Sequence, residues 1–66
     1  MPSREDYQEA KRQIDSTLHK LREVVKALEE KEEPQRYQSQ ITLAKRRVKA
    51  FELASRLIER ELEQDT

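Results

Sequence analysis

Residues 28–41 read LEEKEEPQRYQSQI, and they hold the only internal proline, Pro34. Proline disfavours helical geometry at the residue before it and suits the first position of a new helix. Upstream, Tyr7, Ile14, Leu21 and Leu28 recur every seven residues. Ala10, Thr17 and Val24 follow the first three of them by three, and Leu18 and Val25 follow Ile14 and Leu21 by four. That is a broad apolar stripe on a helix. Downstream, Tyr37, Ile41, Ala44, Val48, Phe51, Ser55, Ile58 and Leu62 alternate spacings of four and three without a break.

The two stripes do not share a phase. Continuing the first by sevens from Leu28 lands on Gln35, Thr42 and Lys49, all polar. One continuous kinked helix would keep its phase, whereas a break at a proline is what a hairpin requires. The sequence therefore predicts an all-α, antiparallel, coiled-coil-like hairpin forming a single domain over 1–66. The first helix is expected over about 3–32, the turn over about 33–35 and the second helix over about 34–64. Ser3 followed by Asp6 resembles a capping box, and Glu5 and Asp6 suit the positive end of a helix dipole.

Folding the chain about Pro34 and Gln35 gives a register. Leu28 comes level with Ile41, Val25 with Ala44, Leu21 with Val48, Leu18 with Phe51, Ile14 with Ser55, and Tyr7 with Leu62, with Ala10 and Lys11 near Ile58. Large residues often meet small ones, as interdigitating layers require. Ser55 and Thr17 are polar on otherwise apolar stripes. Each is expected to bond back to the carbonyl four residues earlier.

Composition removes most chemistry. The chain has 66 residues, with no Gly, Cys or Trp. Disulfides and Cys-containing zinc sites are excluded, as are Gly-rich phosphate loops and nucleophile elbows. No apolar run exceeds two residues, so a membrane-spanning helix is not expected, and the chain reads as cytoplasmic. Asp15, His19 and Glu23 line one side of the first helix at spacings of four, a pattern that reads as a solvated ion-pair ladder rather than a metal site. Ser16 and Thr17 lack a base and an orienting acid. No catalytic residue, metal, cofactor or small-molecule substrate is expected, and the chain reads as non-enzymatic.

Two surface features stand out. Leu43, Ala50, Ala54 and Leu57 form a second apolar stripe on the second helix, roughly 110° from the first at 3.6 residues per turn. Two long helices sharing one seam bury little, so self-association through this stripe, as a homodimer or higher oligomer forming a four-helix bundle, is the expected outcome. The second feature is charge. Fourteen Lys and Arg balance fourteen Asp and Glu. Yet no acid lies between Pro34 and Phe51, where Arg36, Lys45, Arg46, Arg47 and Lys49 gather. In the register above, Lys20 is level with Lys49 and Arg22 with Arg47, while acids cluster at the turn and at the open end.

A basic waist of Lys20, Arg22, Lys45, Arg46, Arg47 and Lys49 between acidic tips is a possible anion or nucleic-acid patch. Helical-hairpin dimers that bind RNA across their helix faces are a known architecture. Against this, the net charge is zero and no aromatic side chain is interleaved for base stacking. The leading expectation is a protein-interaction or scaffolding module. A nucleic-acid-binding regulator is the alternative, and a chaperone or adaptor a second one.

Overall fold

The computed structural model describes residues 1–64. Two helices, α1 (Arg4–Glu29) and α2 (Gln38–Gln64), run antiparallel, joined by a link that contains a 3₁₀ turn over Pro34–Tyr37. The result is a rod of 49 × 16 × 14 Å.

α1 begins with a reciprocal cap. The Asp6 amide donates to Ser3 Oγ at 3.1 Å, and the Ser3 amide donates to Asp6 Oδ2 at 3.0 Å. Two of the four otherwise orphaned amides are satisfied in this way. At its other end α1 stops at Glu29 instead of running to Glu32. The local charges explain the shortfall. Glu29, Glu30, Glu32 and Glu33 crowd the negative end of the helix dipole, and Lys26 is the only cation in the last turn. The closing bonds run from the Glu30 amide to the Lys26 carbonyl (3.1 Å) and from the Lys31 amide to the Leu28 carbonyl (3.3 Å).

Pro34 acts where the sequence places it. Glu33, just before it, adopts φ −126° and ψ 74°, outside the helical region. The second helix does not start as an α-helix at Pro34, because a tighter 3₁₀ turn intervenes before Gln38. Across the link, the Lys31 ammonium lies 5.9 Å from the Tyr37 ring centroid and Arg36 pairs with Glu33 at 3.2 Å. No described residue takes a positive φ. The turn is therefore built entirely from conformations open to ordinary residues, in a chain that has no glycine.

The two stripes meet along one seam. Leu18, Ile41, Ala44 and Ser55 are buried, and Tyr7, Ile14, Leu21, Val25, Leu28, Val48, Phe51, Ile58 and Leu62 are half-buried. No large side chain among the described residues is completely enclosed. The accessible surface is 5479 Å². A compact monomer of 7.9 kDa exposes about 4,400 Å². The radius of gyration is 15.0 Å against about 11 Å for a compact chain of this length. The extra surface is the geometric result of using one seam between two long helices.

Candidate interaction surfaces

Each helix offers the seam two flanks. On α1, Arg22 and Glu29 lie four residues after the seam residues Leu18 and Val25, which rotates them about 40° from the seam. Ala10, Thr17 and Val24 lie three after Tyr7, Ile14 and Leu21, rotated about 60° the opposite way. On α2, Lys45 and Glu52 follow Ile41 and Val48 by four, while Arg47, Ala54 and Glu61 follow Ala44, Phe51 and Ile58 by three. Because the helices are antiparallel, the two plus-four flanks meet on one side of the rod and the two plus-three flanks on the other.

The plus-four side is polar and bonded across the seam. Arg22 Nη2 donates to Glu52 Oε2 at 2.6 Å, and Lys45 Nζ to Glu29 Oε2 at 3.0 Å. Further along, Ser55 is buried at 8% exposure. Its hydroxyl donates to Asp15 Oδ1 at 2.6 Å and accepts from Lys11 Nζ at 3.0 Å. Lys11 also pairs with Asp15 at 3.0 Å. The expectation that Ser55 bonds back to its own helix is therefore corrected: its single proton goes across the seam. A carboxylate one turn beyond Lys11 and a lysine in the seam together satisfy the only buried polar side chain among the described residues. The Ser55 hydrogen bond, then that from Lys11, hold the Asp15 carboxyl below its ordinary range. Desolvation opposes them, and the charges of Lys11 and Arg22 reinforce them.

The same bonds revise the reading of the basic waist. Levels along the rod set Arg22 against Arg47, but the long side chains reach past the level. Glu52 and Glu29, just outside the acid-free stretch, take up Arg22 and Lys45. The other four cations, Lys20, Arg46, Arg47 and Lys49, carry no ion pair among the described residues. They do not form one patch. Arg22, Lys45 and Lys49 border a groove of about 280 Å³ floored by Val25 and Val48. Arg47 lies on the opposite flank, with Lys20 on the outer part of that same side two residues after Leu18, and Arg46 lies about 100° further round α2.

On the plus-three side no ion pair like those of the other flank ties the middle of the two helices together among the described residues, and at the open end Arg4 Nη1 donates to the Leu62 carbonyl at 2.9 Å. Apolar side chains are left uncovered there. Val24 is 48% exposed, and on the outer part of the same side Leu43 and Leu57 are 47% and 50% exposed. Ala54 is half-buried and Ala50 exposed. The sequence marked Leu43, Ala50, Ala54 and Leu57. It did not mark Val24 as surface, because Val24 belongs to the broad stripe of α1. Leu53, 56% exposed, also escaped notice, since it shares no stripe with either set.

Among the described residues no three His, Asp or Glu converge as a metal site would need. Asp15, placed on a ladder with His19 and Glu23 by spacing, is engaged by Lys11 and Ser55. No described helix is long and apolar enough to cross a membrane. Comparison with family models, curated proteins and solved structures found no match.

Proposed function

We propose that this chain is a non-enzymatic protein-interaction module that associates with itself through α2, two hairpins forming a four-helix bundle. The observation behind it is the uncovered flank. Leu43 and Leu57 stand about half exposed beside Ala50 and Ala54, on the side of the rod whose charged members, Arg47 and Glu61, form no ion pair among the described residues. A rod with about 1,000 Å² more surface than a compact chain of its mass gains most by burying that side. Alanines in the stripe permit close helix approach.

Sedimentation equilibrium on the wild type and on Leu57→Glu, with far-ultraviolet circular dichroism on both, tests this. The wild type is expected to sediment as a dimer or higher species and the variant as a helical monomer. A monomeric, fully helical wild type would overturn the reading.

Binding of nucleic acid is a second reading, favoured by the four cations without ion pairs. Its support is weaker, because those cations point to different sides of the rod and Arg22 and Lys45 are already held by acids. Phosphate contacts release counterions, so such binding weakens steeply with salt. At low salt, nucleic-acid binding by the wild type that is lost in Arg46→Glu/Lys49→Glu, two cations off the second stripe of α2, supports this reading, and no binding by the wild type removes it.

A further inference from the structure

The exposed stripe on α2 extends beyond its apolar members. Leu43, Arg47, Ala50, Ala54, Leu57 and Glu61 follow one another at alternating spacings of four and three. That is a second coiled-coil seam on the same helix as the first. Two of its positions are charged, and they are placed symmetrically: Arg47 and Glu61 lie seven residues either side of Ala54. Both are exposed, and neither has an ion-pair partner among the described residues.

This symmetry selects a partner and a direction. If α2 meets a parallel copy of itself in register, Arg47 faces Arg47 and Glu61 faces Glu61, and both contacts repel. If it meets an antiparallel copy about a two-fold axis at Ala54, each Arg47 comes level with Glu61 of the second copy, twice over. Ala54 then meets its own copy, where a small side chain lets the backbones approach, and Leu57 falls beside Ala50 of the second copy, large against small. A slip of half a heptad still leaves Arg47 within about one turn of the opposing glutamate, about 5.4 Å.

The rest of the helix agrees. From Gln38 to Ala50, α2 carries Lys45, Arg46, Arg47 and Lys49 and no acid; from Phe51 to Gln64 it carries Glu52, Glu59, Glu61 and Glu63 with only Arg56 and Arg60. Of these only Arg47 and Glu61 lie on the second stripe, while Lys45 and Glu52 are paired on the other flank; in an antiparallel pairing the remaining charges add only a longer-range attraction between the net positive half of each α2 and the net negative half of the other. Complementary potentials of this kind set partner choice and register more than raw affinity. Resting on the self-association reading above, we propose that α2 pairs with α2 of a second copy, antiparallel about a two-fold axis at Ala54, with Arg47 of each chain on Glu61 of the other.

The test uses two full-length charge reversals, Arg47→Glu and Glu61→Arg, studied by sedimentation equilibrium alone and mixed. Both sites are exposed, and circular dichroism checks that both variants stay helical. In a homodimer of either variant both contacts join like charges, so each is expected to associate about tenfold or more weakly than wild type. In the equimolar mixture both contacts again join unlike charges, and association is expected to return to the wild-type level. If both variants alone associate as tightly as wild type while Leu57→Glu is monomeric, the antiparallel arrangement is overturned and self-association stands. A mixture no tighter than its components overturns it in the same way. A monomeric wild type overturns both.

Discussion

The two flanks of the seam are built from the same helices, at the same levels, and they differ in kind. One is laced across by Arg22–Glu52, Lys45–Glu29 and the Lys11–Asp15–Ser55 cluster. The other presents Val24, Ala54, Leu43 and Leu57 to water, and its charged members Arg47 and Glu61 carry no ion pair. The comparison teaches that paired charges on a flank tend to finish a surface. Long side chains that bond across the seam cover it with polar groups, and those groups lose water if another molecule docks there. The other flank is mostly alanine, valine and leucine, and its two charges, Arg47 and Glu61, have no ion pair among the described residues to give up.

Substitutions can break the comparison at different depths. The largest effect belongs to the seam, which serves both flanks equally. Leu18→Ala should cost about 2–5 kcal/mol, enough to unfold a hairpin with so few buried side chains, as read by urea titration. Next comes the apolar flank: Leu57→Glu should abolish assembly while the helical circular dichroism of the hairpin persists at high concentration. The polar flank should respond less. Asp15→Ala removes the acceptor of Ser55 and one partner of Lys11, and about 1 kcal/mol is expected from thermal melts, with assembly unchanged. The smallest effect is expected for Arg22→Ala, because exposed ion pairs contribute roughly 0–1 kcal/mol. If Arg22→Ala disrupts assembly more than Leu57→Glu does, the roles of the flanks are reversed.

Acidity sharpens the same contrast. The folded Asp15 carboxyl titrates below its unfolded value of about 3.9. Its contribution is therefore fully present above that value and is lost as pH falls through the folded pKa, so stability declines on acidification below about pH 4. Asp15→Asn should flatten that part of the pH–stability profile and leave the profile near neutrality unchanged in shape. Melts from pH 6 to pH 3 on both proteins check it.

Much of the hairpin was legible because the signals were periodic. The seven-residue recurrence on each side of Pro34, the phase break and the Ser3–Asp6 cap each have a local physical cause, and none needs the partner helix to be read. The misreadings share a different cause. Where α1 ends depends on how several glutamates add up at a helix terminus, which spacing does not weigh. The partner of Ser55 and the acids that take up Arg22 and Lys45 depend on side-chain reach. A level register places Cα atoms and says nothing about a guanidinium or ammonium several bonds away. The surface stripe on α2 was visible as a pattern. That Val24 stays 48% exposed on the side of that stripe depends on how far the partner helix covers the broad stripe of α1, which spacing does not give.

The bond between Arg4 and the Leu62 carbonyl has a consequence for the chain's connectivity. It places the first turn of α1 beside the last turns of α2, at the end of the rod farthest from Pro34. A short peptide joining these ends could replace the existing link, and the chain could then be opened anew between Lys31 and Glu32, which are exposed and outside both helices. Such a circular permutant would keep the seam and both flanks while exchanging the order of the helices. It would also move any fused reporter from the open end of the rod to the turn.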